Sequence, residues 1–120
     1  MIEPFAVSGH REAGSLVLHL VGDVDANAFD PLLGAYAKGT VGTGADEVVL
    51  DFTRVGYINS SGIAMIVSLL GRARADHRRV AAYGLSDHYR QIFEITRLSD
   101  FIDIRDRPEE GAAEPRPHPS

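Results

Sequence analysis

The order in which strand-like and helix-like segments alternate predicts an α/β domain, a mixed central β-sheet with helices packed on it. Three observations carry that prediction. Residues 15–21, Ser-Leu-Val-Leu-His-Leu-Val, read as a clear strand ended by Gly22. Residues 47–52 are almost continuously apolar, as a central strand covered on both faces would be. Between these runs the period changes, with Phe29, Leu32, Leu33 and Tyr36 recurring at helical spacing.

In chain order, residues 5–10 alternate weakly and suit a short edge strand ahead of the strand at 15–21. A helix over 26–38 follows, with Asp25 or Asn27 as its cap and Pro31 acceptable only in its first turn. Glycines make 39–44 a loop. The strand at 47–52 leads through a connection at 53–59 into a helix that begins near Ser60. Ile63, Met65, Ile66, Val67, Leu69 and Leu70 make this helix apolar over more than one stripe, leaving some of its surface for a partner. Residues 79–83 form a fourth strand, Asp87 opens a helix carrying Tyr89, Ile92, Phe93 and Ile95, and 101–104 form the last strand. Residues 1–106 are therefore expected to be one domain. Residues 107–120, proline-rich and without apolar periodicity, are expected to be a disordered tail.

The length of 120 residues suits one core rather than two. No apolar run approaches the roughly 20 residues needed to span a bilayer, so membrane insertion is not expected. The first residues lack the basic and long apolar regions of a signal peptide, which points to the cytoplasm. The absence of cysteine excludes disulfides, thiolate metal sites and thiol nucleophiles. A net charge of −5 argues against broad binding of nucleic acid. Positive charge is concentrated at Arg72, Arg74, Arg78 and Arg79, where it complements the C-terminal dipole of the serine-initiated helix or offers a docking patch to an acidic partner.

The most informative stretch is 48–63, where an apolar strand runs into Asn59-Ser60-Ser61-Gly62-Ile63. A helix start presents unpaired N–H groups and the positive end of the macrodipole, so a phosphate added to a hydroxyl there is stabilised. Ser60 is thus a candidate switch residue. Its plainer role would be capping the helix, and Ser61 is a rival acceptor whose plainer role is a hydrogen bond in the first turn.

The element order, Gly22-Asp23-Val24-Asp25 after the second strand, and Val49-Leu50-Asp51 leading to Ile58-Asn59-Ser60-Ser61-Gly62-Ile63 together resemble the STAS family, specifically the bacterial anti-sigma factor antagonists. The resemblance spans about residues 5–104. It implies that Ser60 is phosphorylated by a partner that is both an ATP-dependent serine kinase and an anti-sigma factor. It further implies that the unphosphorylated protein sequesters this partner, and that a dedicated serine phosphatase restores binding. The family's acidic residue near the phosphorylation site matches Asp25. The partner-binding set implied is Asp23, Asp25, Asn59, Ser60, Ser61, Gly62, Ile63, Ala64 and Met65. Two positions depart from the pattern: Asn59 stands where the family often has Asp, and Ala64 where a second glycine is common. A second reading within the family is a constitutive subunit of a lipid-transport or signalling assembly, with Ser60 only capping its helix.

Catalysis by the chain itself is not expected. Ser60 has no Gly-x-Ser-x-Gly elbow, and His10, His19, His77, His88 and His118 show no spacing that demands a triad. His19 is expected to alternate on its strand and the others to be solvated. No His-x-x-x-His pair, carboxylate cluster or glycine-rich phosphate loop implies a metal or cofactor.

Overall fold

A computed structural model of the protein describes residues 4–106. The proline-rich tail expected over 107–120 lies outside the described residues. Five strands, β1 (Ala6–Glu12), β2 (Ser15–Val24), β3 (Glu47–Ile58), β4 (Arg79–Tyr83) and β5 (Asp103–Arg105), form one sheet in the order β1-β2-β3-β4-β5. β1 runs antiparallel to β2, and the remaining pairs are parallel. Helices α1 (Phe29–Thr40), α2 (Ser60–Ala75) and α3 (Asp87–Ile95) link the parallel strands. Short 3₁₀ turns at Ala26–Ala28 and Leu98–Asp100 complete the chain. The mixed α/β architecture expected from the sequence is the one observed.

The main core lies between the sheet and the helices. Leu16, Leu18 and Leu20 of β2, with Val48, Leu50 and Phe52 of β3, meet Tyr36, Ile66, Leu69 and Phe93 of the helices. Phe52 and Phe93 pack edge to face, with centroids 6.2 Å apart. The expectation that β3 is covered on both faces needs correction, because among the described residues no helical residue joins the cluster on the other face. Val17, Val49, Ala81 and Tyr83 form a small buried cluster of their own there. Glu47 and Arg105 pair at 2.6 Å on β3 and β5, reaching across β4, where the small side chain of Ala81 leaves them room.

Several boundaries differ from the sequence reading. Gly22 does not end β2; at φ +94° it adopts a conformation that glycine enters without strain, and the strand continues to Val24. Residues 53–58, expected as a connection, extend β3. Its 12 residues pair with the 10 of β2, and two register shifts absorb the difference. Each shift reverses the inward-facing parity, so Val55 and Ile58 still pack on the core although the alternation is broken. The expected helix at 26–38 divides into a 3₁₀ turn capped by Asp25 and α1, with Pro31 in the first turn of α1 and Gly39 and Thr40 still helical. Phe101 and Ile102 belong to the turn before β5, not to the strand.

Candidate functional site

The start of α2 is fixed by neighbours from three directions. β3 delivers the chain at Ile58, whose N–H donates to the Tyr89 hydroxyl at 2.8 Å while that hydroxyl donates to the Ile58 carbonyl at 3.3 Å. Asn59 donates its N–H to the Val24 carbonyl at 3.2 Å, tying α2 to the end of β2. Its extended backbone and side-chain oxygen, which accepts from Gly62 N–H at 2.8 Å, make Asn59 the helix cap. Gly62 is buried so tightly that a Cβ there would stand 2.2 Å from the Val24 carbonyl oxygen.

This arrangement removes Ser60 from the capping role that its plainer reading gave it. Ser60 and Ser61 are the first two residues of α2, both exposed, and neither hydroxyl has a hydrogen-bond partner among the described residues. Their hydroxyls stand at the positive end of a 16-residue helix, where an anion is favoured. No histidine or carboxylate hydrogen-bonds to Ser60 among the described residues.

The face of α2 that carries Ser60 has no charge of its own over its first three turns. From Ser60 to Gly71 helix α2 contains no ionisable side chain, and its exposed stripe is Ser60, Ser61, Ala64, Val67, Ser68 and Gly71. Val67 is 48% exposed, Tyr57 at the end of β3 is 55% exposed, and Phe29, just after the turn that packs on α2, is 40% exposed. Ile63 is half-buried against the core. Continuing the β2–β3 register past Val24–Ile58 brings Asp25 alongside Asn59. Asp25 accepts from Asn27 N–H at 2.9 Å and so caps its own turn beside the serine pair. Asp23 is half-buried and pairs in register with Tyr57.

Met65 does not join this surface. It is 4% exposed, because five residues of helix turn it roughly 140° away from Ser60 and into the core. Gly62 is likewise an inward packing position, offering the surface no side chain.

Residues 8–105 match the family model described as Mlab, STAS domain. The chain belongs to the STAS family. An anti-sigma-B factor antagonist from Listeria monocytogenes is 30% identical over 95 residues, covering 79% of this chain and 82% of the relative. The fold of this STAS domain is shared by the anti-sigma factor antagonist SpoIIAA in its unphosphorylated form, with a TM-score of 0.69 at 18% identity over 89% of this chain and 94% of that one. The phosphorylated form of the same Bacillus protein gives a TM-score of 0.67 at 18% identity, over 88% and 95%.

Sequence reasoning missed a second polar cluster, on the sheet face that carries Val17, Val49, Ala81 and Tyr83, away from the helices of the described residues. Asp51 accepts from His19 Nδ1 at 2.7 Å and from Thr53 N–H at 2.9 Å, and the Thr53 hydroxyl also donates to it. Burial pushes its carboxyl up, but hydrogen bonds from Thr53, His19 and Tyr83 outweigh this and hold it below the ordinary aspartate value. His19 Nε2 meets His10 Nδ1 at 3.0 Å with the rings stacked, so His10 is not simply solvated. The only sequence signal was the strand alternation placing His19 opposite the leucines. The cluster lies on the face away from α2 and does not join Ser60.

Proposed function

We propose that this STAS domain is a phosphorylation-controlled anti-sigma factor antagonist acting in the cytoplasm as a binding module rather than an enzyme. The observation that carries the reading is the division of labour at the start of α2: Asn59 caps the helix and leaves the Ser60 hydroxyl exposed and unbonded. The uncharged stripe beside it, with Ile63, Ala64 and Val67 and the flanking Asp23, Asp25 and Ser61, receives an anti-sigma partner that is also a serine kinase. That partner binds ATP, and the Ser60 oxygen, losing its proton to the partner, takes the terminal phosphoryl group as the bond to ADP breaks; a serine phosphatase hydrolyses the ester with water, restoring the hydroxyl and releasing inorganic phosphate. The phosphate adds about −1.5 to −2 charges to an apolar interface, and desolvating them without a matching cation costs several kcal/mol. Tyr89 and Asn59 act as positioning residues for the serine.

The test is calorimetry of Ser60→Ala and Ser60→Asp against the kinase partner, with phosphate mapped by mass spectrometry on protein from cells in growth and under stress. Ser60→Ala should bind as the unmodified protein does, and Ser60→Asp at least about tenfold more weakly, a difference of about 1.4 kcal/mol. Equal affinities would sink the switch. A second reading within the STAS family is a constitutive subunit of a lipid-transport or signalling assembly, in which the exposed stripe of α2 binds its partner with no phosphate on Ser60. Absence of phosphate on Ser60 under every condition would select it.

A further inference from the structure

On the sheet face away from α2, four side chains of the first three strands are joined end to end. Glu12 Oε1 meets His10 Nε2 at 3.2 Å, His10 Nδ1 meets His19 Nε2 at 3.0 Å, and His19 Nδ1 meets Asp51 Oδ2 at 2.7 Å. Each contact needs one N–H, because both ends of the row are carboxylates, which accept and do not donate. Two neutral imidazoles carry two protons between them, and three are required. The row is therefore complete only when the histidine pair holds one extra proton.

Burial decides which contact goes without in the neutral pair. The Asp51 side chain is 14% exposed and is held ionised by its other hydrogen bonds, so facing it with a bare nitrogen would leave a buried charge short of a donor. Glu12 is 67% exposed and turns to water instead. Both protons then sit on Nδ1: His19 donates to Asp51, His10 donates to His19, and His10 Nε2 is bare. A first added proton enters there and meets Glu12. A second can enter only at His19 Nε2, where it faces the His10 Nδ1–H and breaks the bond between the rings.

The other charged groups on this face are engaged elsewhere or stand apart. Tyr83 of β4 donates to Asp51. Glu47 of β3 is held by Ser15 and by Arg105 of β5, which also pairs with Asp103. Arg79 of β4 lies in register with Glu47 and Arg54 of β3 with Val21, and neither guanidinium has a partner among the described residues.

We propose that Glu12, His10, His19 and Asp51 form a proton-linked clasp on the edge strand: one proton, at His10 Nε2, closes it, and a second, at His19 Nε2, breaks its link between β1 and β2. Because β1 pairs with no strand but β2, the clasp makes this edge of the sheet answer to acidity.

NMR of the imidazole nitrogens in the isotope-labelled full chain, followed from about pH 8 to about pH 5, tests this. At the alkaline end both rings should carry their proton on Nδ1. On acidification His10 should charge first, at Nε2, while His19 stays neutral. Only at the second step should the amides of Ser8, Gly9 and His10 exchange faster relative to those of β3. Asp51→Asn should reverse both tautomers: Thr53 donates twice to Oδ1, so the new amide nitrogen falls where Oδ2 was and donates to His19 Nδ1. The exposed variant Glu12→Gln should lower the midpoint of the first step by roughly 0.5 pH units. Ser60→Ala should leave the titration unchanged. A proton on Nε2 of neutral His19 in wild type, both rings charging at one midpoint, or unchanged tautomers in folded Asp51→Asn would overturn the proposal. So would an unmoved first midpoint in Glu12→Gln, a readout that stands whether or not Asp51→Asn folds.

Discussion

The two ends of α2 are held by opposite means. At the Ser60 end the contacts are neutral: the Val24 carbonyl, the Asn59 amide, the Tyr89 hydroxyl and a glycine with no room for a side chain. At the other end they are charged. Asp76 accepts from the Tyr36 hydroxyl at 2.6 Å, from Arg78 at 3.2 Å and more loosely from Arg72 at 3.7 Å. On the proposed reading the contrast has a use. A mount that must carry a doubly charged group in one state and a bare hydroxyl in the other is safest when its own contacts do not respond to charge.

The comparison is broken most severely at Gly62. A methyl group there meets a backbone carbonyl, which cannot rotate aside as a side chain could, so the start of α2 must lift off β2. Gly62→Ala should destabilise by about 3 kcal/mol despite alanine's better helix propensity. That corresponds to a fall of roughly 15 °C in Tm by calorimetry. A change under 1 kcal/mol would mean that the slot is not rigid.

At the charged end, Asp76→Ala removes the acceptor of a buried tyrosine hydroxyl and the counter-ion of Arg78, with an expected loss of about 2 kcal/mol by urea unfolding. The same end should respond to alkali. Burial pushes the Tyr36 hydroxyl up, the Asp76 carboxylate adds to this, and Arg78 only partly opposes them. Because the folded value lies above the unfolded one of about 10, the stabilisation is fully present below that pH and is lost as pH rises through the folded value. Tyr36→Phe should therefore show a shallower decline of stability above about pH 10 than wild type. Identical slopes would show that Tyr36 does not titrate with unfolding.

Much of this was readable in the chain, for identifiable reasons. The apolar spacing of α1 and the strand at 47–52 reflects local patterning against one core, and the structure bears both out. The second half of β3 was hidden because its pairing is set by β2, not by its own alternation, which two register shifts break. At the site, the serine pair following an apolar strand signalled a helix start near Ser60, but which residue caps it was settled only by the Asn59 oxygen reaching Gly62 N–H. The burial of Gly62 and Met65 was not legible, since it depends on where the end of β2 lies. The arginine cluster looked uniform in sequence, and only the position of Asp76, which Arg78 and more loosely Arg72 reach, separates these two from Arg74 and Arg79.

The smallest effect sharpens the comparison most. If Asn59 alone caps α2, Ser60→Ala in wild type should change stability by no more than about 0.5 kcal/mol, as expected for an exposed residue without partners. Asn59→Ala removes the cap, but the helix has a substitute one residue later: by giving up one residue, Ser60 becomes the cap and its hydroxyl reaches Gly62 or Ile63 N–H. The cost of Asn59→Ala should therefore be under about 1 kcal/mol, whereas Ser60→Ala in that background should cost about 1 kcal/mol more. Such coupling, measured by a double-mutant cycle in urea, would mean that Asn59 serves the switch by sparing Ser60. Strict additivity would mean that Ser60 cannot take the cap, and that its free hydroxyl owes nothing to its neighbour.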